Sequence, residues 1–133
     1  KAQIMALENE GFSFTDDGMQ LDLSGRILFD LNSSDVDLST THRIKKITTM
    51  FLEIGIDRIR LDGHTDDTGD ARYNEALSKR RADAVAQLMV EDGYPANAIQ
   101  TRGLGSQKPV AKNNSSEGRA SNRRVTVIVG AMK

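Results

Sequence analysis

Apolar and polar residues recur along this chain with two periods, and the longer period predicts its helices. Between residues 39 and 54 the apolar positions repeat at helical spacing, and Gly55 follows as a helix stop. A second helix is predicted from about residue 70 to residue 91, and a short one covers residues 1–10. The two long helices are each long enough to cover one face of a sheet.

Strict alternation of apolar and polar side chains predicts strands with one buried face. The predicted strands cover residues 19–23, 26–31, 57–62, 99–103 and 124–129. The first two form a hairpin, and the last is apolar enough to lie at the centre of a sheet. A long polar loop is predicted from residue 105 to residue 121.

The order of these elements defines the fold class. A helix and a β-hairpin are followed by a helix, a strand, a helix and two further strands. This order predicts an α/β two-layer sandwich, a mixed β-sheet with helices packed on one face. A chain of 133 residues has the length of one domain and can bury a core without disulfides or metals.

Composition narrows the function classes. The net charge is −1, from 18 basic and 19 acidic residues, and it lacks the basic excess that nucleic-acid binding usually shows. The chain has no cysteine, which excludes disulfides and cysteine-ligated zinc. No apolar run approaches the roughly 18 residues of a membrane span. We therefore expect no nucleic-acid partner, and membrane attachment only through an anchor missing from this chain.

The candidate site lies in the stretch from residue 63 to residue 82, GHTDDTGDARYNEALSKRRA. On a helical wheel Arg81 falls within the arc predicted to pack on the sheet, and Asn74 lies two turns earlier on nearly the same line. That arc is formed by Tyr73, Leu77, Ala84 and Leu88. An isolated buried charge costs several kcal/mol, so Arg81 is expected to have a partner.

Asp66 is the nearest candidate partner, and two interpretations of it remain open. In the first, Asp66 and Arg81 form a partly buried ion pair without further function. In the second, they grip a zwitterion, with Asp66 taking its ammonium and Arg81 its carboxylate. Thr65, Thr68 and Asn74 then supply neutral hydrogen bonds, and the pocket suits an amino-acid head group.

Enzymatic interpretations find little support in the sequence. Residues 64–67 contain potential metal ligands, but strand alternation sends His64 and Thr65 to opposite faces. Residues 103–108 lack the spacing of a phosphate loop and precede a loop instead of a helix. A nucleophile paired with a histidine is not evident either. We predict no enzyme activity, no metal and no cofactor.

Four motifs in order carry a family resemblance: GHTDDTG, YNEALSKRRADAV, GLGSQKPVA and N-x-x-x-EGRASNRRV. From about Arg26 to Val129 the chain resembles the OmpA-like peptidoglycan-binding domain. That family includes the C-terminal domain of OmpA, the peptidoglycan-associated lipoprotein and the periplasmic part of flagellar stator proteins. The resemblance implies a periplasmic, non-enzymatic module that binds the meso-diaminopimelate of peptide stems and anchors an outer-membrane or envelope protein to the wall.

The resemblance also implies site residues. The family's ligand contacts match Asp66 of HTD, Arg81 of LSxxRA, Asn74 of YN, Arg124 of NRRV, and Leu31 and Asn32 in a motif at the end of a strand. With Thr65, Thr68 and Leu77 these form the predicted ligand-binding set. Leu31 departs from the aromatic that family members often have there. Asp67 stands where asparagine is frequent, which makes the rim more acidic.

The N-terminal part is treated separately. Residues 1–25 are predicted to be an N-terminal helix and first strand, and residues 26–133 the OmpA-like domain. Residues 11–23 also resemble YfiB-type outer-membrane lipoproteins, which tie wall binding to an inner-membrane signalling system. The alternative function is therefore a periplasmic signalling or protein-partner module that uses the surface of residues 1–32 for an envelope protein.

Overall fold

The computed structural model describes residues 2–24, 38–109 and 112–130. Within these residues the elements, in chain order, are α1 (Ala2–Asn9), β1 (Ser13–Thr15), β2 (Gly18–Ser24), α2 (Leu38–Ile54), β3 (Ile59–His64), α3 (Ala71–Glu91), a 3₁₀ turn (Ala96–Ala98), β4 (Ile99–Gly103), α4 (Ser116–Asn122) and β5 (Arg124–Val129). The strands form one mixed sheet in the order β1-β2-β5-β3-β4. Only β3 and β4 pair in parallel among these neighbours, so the predicted mixed α/β fold is confirmed.

The core lies between the helices and one face of the sheet. Sheet register aligns Leu21, Val127 and Leu61 across three neighbouring strands, so their side chains share that face. Ile47 of α2 and Val85 of α3 belong to the same buried cluster. The apolar faces of the helices and of the sheet therefore pack together in a single core, as in a two-layer sandwich.

The opposite face of the sheet is polar and charged. Asp62 is buried there between two arginines, accepting two hydrogen bonds from Arg102 at 2.8 and 2.7 Å and two from Arg60 at 3.1 and 3.2 Å. Burial alone would raise the pKa of Asp62, but these hydrogen bonds and the two positive charges outweigh it and lower the pKa. The ionised carboxylate of Asp62 thus forms an ion pair that links β3 to Arg102 of β4.

Local signals set the helix ends close to where the sequence predicts them. The Asp70 side chain caps α3 by accepting a hydrogen bond from the Tyr73 amide at 3.0 Å. Gly11 follows α1 with a φ of 108°, which glycine adopts without steric cost. Among the helices that the structure describes, none combines the length and apolar character of a membrane span.

Four sequence expectations need correction or fall outside the described residues. The strand predicted at 57–62 lies two residues later, as β3. The loop predicted at 105–121 contains α4, whose N-cap Ser115 accepts a hydrogen bond from the Gly118 amide at 3.0 Å. A hairpin does form, but between β1 and β2. The predicted strand 26–31, with Leu31 and Asn32, lies outside the described residues.

The division of the chain at residue 25 stays a prediction. In the structure β2 pairs with β5 along its whole length, from Met19 opposite Val129 to Ser24 opposite Arg124. Leu7 of α1 is fully buried in the same core as the two long helices. The N-terminal elements are therefore part of the same packed unit.

Candidate ligand-binding cleft

Two glycines let α3 lie unusually close to the ends of β3 and β4. A Cβ on Gly63 would lie 1.9 Å from the Ser78 carbonyl oxygen, and one on Gly103 would lie 2.7 Å from that of Glu75. Only glycine fits such an approach without movement of the backbone. The Ser78 hydroxyl stabilises this close packing. It donates to Glu75 O at 2.7 Å within α3 and accepts from the Gly105 amide of the loop after β4 at 2.9 Å.

The turn after β3 is fixed by hydrogen bonds of its own backbone. The Thr65 amide donates to Gly105 O at 2.8 Å, which ties this turn to the loop after β4. Asp66 Oδ1 accepts from the Thr68 amide at 2.8 Å, and Asn74 Nδ2 donates to Thr68 O at 2.9 Å. The carboxylate of Asp66 is thereby held beside the first turns of α3 before any ligand arrives.

A small cleft of about 60 Å³ opens between this turn, α3 and the start of β5. It is lined by Thr65, Asp66, Thr68, Asn74, Leu77, Arg81 and Arg123. Asp66 is 4% exposed and Arg81 only 1%, so opposite charges face one cavity out of bulk water. The structure brings together the six predicted residues Thr65, Asp66, Thr68, Asn74, Leu77 and Arg81.

Electrostatics keep Asp66 ionised. Its Oδ2 forms an ion pair with Nη1 of Arg123. Burial alone would raise the pKa of Asp66, but the Thr68 amide and Arg123 outweigh it and hold the pKa below its usual value. The pKa of Arg81 is lowered by burial and then by the charge of Arg123, while Asp66 opposes both. A guanidinium nevertheless stays protonated, so the cleft is fully charged at neutral pH.

Of the two neighbouring arginines Arg123 and Arg124, it is Arg123 that lines this cleft, so the expectation that Arg124 faces it is wrong. Arg124 points to the polar face of the sheet, where its Nη2 donates to Lys108 O at 2.9 Å and its Nε lies 3.7 Å from Asp22 Oδ1. The error arose because α4 continues through Asn122, so strand alternation begins only at Arg124. Arg123, as the helix C-cap, is free of that alternation.

The sheet-facing arc of α3 also differs from the wheel. Its buried residues are Asn74, Leu77, Ser78, Arg81, Ala82, Val85 and Met89. Tyr73 is exposed, and Ala84 and Leu88 are partly buried on the flank. The close approach at Gly63 and Gly103 brings the small side chains Ser78 and Ala82 inward, which rotates the packed face. Arg81 stays within the buried face.

His64 lies away from the cleft, at the end of β3. It is buried, and burial, followed by the positive charge of Arg124, lowers its pKa to about 4. The imidazole is therefore neutral at physiological pH. Within the described part of the chain, no three His, Asp or Glu side chains are grouped as a metal site would need.

Comparison with known proteins shows to which family this chain belongs. Residues 28–123, more than half of the chain, match the OmpA family. The chain belongs to the OmpA family. The outer-membrane lipoprotein YfiB of Pseudomonas aeruginosa is 43% identical to this OmpA-family domain over 129 residues, which are 97% of this chain and 77% of that protein. The resemblance read from the motifs is thus confirmed.

Solved structures support the fold of this OmpA-family domain. The periplasmic domain of Helicobacter pylori MotB (residues 78-256) superposes with a TM-score of 0.81 at 25% identity, covering 92% of this chain and 82% of that one. The cell wall anchor of the T6SS from Pseudomonas aeruginosa gives 0.79 at 28% identity, covering 97% and 94%. Because its relatives are outer-membrane lipoproteins and periplasmic domains, the domain is a periplasmic component of the cell envelope.

Proposed function

We propose that this OmpA-family domain binds cell-wall peptidoglycan non-covalently, through the meso-diaminopimelate of its peptide stems, and so anchors an envelope protein to the wall. The observation that carries the proposal is the pair of buried opposite charges, Asp66 and Arg81, on one small cleft. The similarity to a cell wall anchor at 28% identity supports the same function class.

Diaminopimelate fits the chemistry of the cleft. Its side chain ends in a second amino-acid head group, which carries an ammonium and a carboxylate. Asp66 takes the ammonium, and Arg81 takes the carboxylate through a two-pronged contact. The amide groups at the start of α3 add positive potential for the same anion. Leu77 provides an apolar wall for the methylene chain.

We further propose that the domain binds without catalysing a reaction. A general acid or base works best when its pKa lies near the operating pH. The pKa of Asp66 is lowered below its usual value, and His64, with a pKa of about 4, does not line the cleft. The charged groups of the cleft are set for recognition and not for proton transfer.

Pull-down with purified peptidoglycan tests the proposal. We expect Asp66→Asn and Arg81→Lys each to weaken binding by about tenfold or more, since one loses the charge and the other the bidentate geometry. Asp83→Asn and Arg80→Lys make the same changes at exposed residues of α3 and serve as matched controls. Circular dichroism checks the fold of each variant. Wild-type binding by folded Asp66→Asn and Arg81→Lys would refute the proposal.

A second candidate function is a signalling or protein-partner module on the same fold. The large apolar side chains of Met5 of α1 and Phe14 of β1 are 64% and 76% exposed, and we propose that they form the partner surface. Deleting residues 1–11 would also remove Leu7 from the core, so surface substitutions are the cleaner test. Met5→Ser with Phe14→Ser should abolish capture of an envelope protein and spare wall binding. Loss of wall binding in this variant would argue against two separate surfaces.

A further inference from the structure

Both carboxylate oxygens of Asp66 are engaged by groups of the protein itself. Oδ1 accepts from the Thr68 amide at 2.8 Å, and Oδ2 pairs with Nη1 of Arg123. Arg123 caps the C-terminus of α4, and its side chain is 23% exposed at the mouth of the cleft. The position that a ligand ammonium needs, directly on Oδ2, is therefore taken by a cation of the protein itself.

We propose that Arg123 holds the ammonium position of the cleft, and that a ligand binds by exchanging its own ammonium for this guanidinium. The inference rests on the proposed function and adds to it a residue that determines specificity. Arg123 reaches Asp66 from the mouth, so it can leave toward solvent. Arg81, which is 1% exposed, stays in place.

The contacts of Asp66 favour this exchange. Its Oδ1 is held by the Thr68 amide and its Oδ2 by Arg123, so a ligand ammonium competes directly with that guanidinium for Oδ2. When the guanidinium swings outward, the cleft widens at its mouth and Oδ2 becomes available.

The charged groups of the cleft also determine which ligands bind more tightly. Among the described residues that line the cleft, the two guanidiniums of Arg81 and Arg123 face the carboxylate of Asp66. The charge of Arg123 helps to lower the pKa of Arg81, so the two guanidiniums lie close enough to repel each other. A lysine ammonium on Asp66 would add a third cation with no anion. A diaminopimelate head group brings a carboxylate that both arginines can share.

Replacing Arg123 by a neutral residue should therefore relax selectivity more than it weakens binding. In Arg123→Gln, Oδ2 of Asp66 loses its guanidinium partner and one positive charge is removed from the lining of the cleft. We expect a peptide ending in lysine to bind roughly fivefold tighter than it binds the wild type, since a competitor and a repulsive charge are gone. A diaminopimelate peptide gains Asp66 but loses a carboxylate contact, and should change by less than about threefold.

Calorimetric titration of the folded domain tests this exchange. The two ligands are the tripeptides L-Ala–γ-D-Glu–meso-diaminopimelate and L-Ala–γ-D-Glu–L-Lys. Arg123→Gln is compared with Arg58→Gln, which makes the same charge change at an exposed residue just before β3, at the far end of that strand from the cleft. If Arg123→Gln does not fold by circular dichroism, Arg123→Met replaces it, because it keeps the aliphatic stem without the charge.

The outcomes separate this inference from the proposed function. Tighter lysine-peptide binding in the Arg123 variant alone supports the exchange. An unchanged or weaker lysine-peptide affinity in that variant, with diaminopimelate binding intact in the wild type, overturns the exchange and leaves the proposed function standing. An equal gain in Arg58→Gln overturns it as a general charge effect. A wild type that binds neither peptide refutes the proposed function, and the exchange with it.

Discussion

Substituting Gly63 by alanine measures how close α3 must lie to β3 for the cleft to form. The added Cβ would meet the Ser78 carbonyl oxygen at 1.9 Å and its carbon at 2.7 Å. Real Cβ atoms essentially never approach a neighbour below 3.0 Å, so the helix must retreat by about 1.1 Å. The clashing atoms are backbone, and no rotamer change relieves them.

The retreat costs packing along the whole helix face. Overpacking of a core typically costs about 1–3 kcal/mol, and a backbone clash belongs at the upper end or above it. We therefore expect Gly63→Ala to lower the free energy of unfolding by about 3 kcal/mol or more. Asn74 and Arg81 lie on the same helix and would move with it. Peptidoglycan binding should therefore also fall in the fraction of the protein that still folds.

Urea denaturation followed by circular dichroism gives the free energy of unfolding. Gly130→Ala is the matched control, because a Cβ there meets nothing within 4 Å and that glycine has no left-handed φ. It should change stability by less than about 0.5 kcal/mol, as surface substitutions usually do. A Gly63→Ala variant as stable as Gly130→Ala, with full peptidoglycan binding, would refute the close-approach argument.

Three further predictions concern the charged groups and the lock on α3. His64, with a folded pKa of about 4 against 6.5 unfolded, contributes stability that is complete above pH 6.5 and is lost as pH falls toward 4. Between pH 7 and pH 5 this loss should reach about 2 kcal/mol in urea denaturation and vanish in His64→Gln. Asp62→Asn should cost about 1–3 kcal/mol by leaving Arg60 and Arg102 without their shared carboxylate, whereas the exposed Asp83→Asn costs under about 1 kcal/mol. Ser78→Ala should cost about 1 kcal/mol and weaken peptide binding in calorimetry, because the buried Gly105 amide loses its acceptor.

Much of the fold was predictable because its signals are local. The Asp70 cap and the apolar period define α3 to within one residue, and β4 and β5 have the predicted bounds. Arg81 was identifiable because a charge on an apolar helix face is anomalous wherever the helix packs. The turn that carries Asp66 was identifiable because it links that helix to the preceding strand.

What the sequence missed depends on contacts between distant segments. The burial of Ser78 instead of Tyr73 follows from two glycines on other strands, and nothing in the helix itself reports them. The role of Arg123 depends on α4, a helix of seven residues with serine, glycine and little apolar character. Ser115 and Glu117, a cap and an acidic first turn, were the available signals for it.

The central position of β5 has a mechanical consequence for a wall-binding domain. β2 enters the sheet opposite Val129, far from the cleft, and ends opposite Arg124, next to the residue that pairs with Asp66. A pull between the cleft and the start of β2 therefore runs along the strands and loads the β2–β5 ladder in shear. All of its hydrogen bonds share such a load, whereas a sideways pull would break them one after another. Under the proposed function, the pairing of β2 with β5 thus lets the sheet carry tension between bound peptidoglycan and the N-terminal elements.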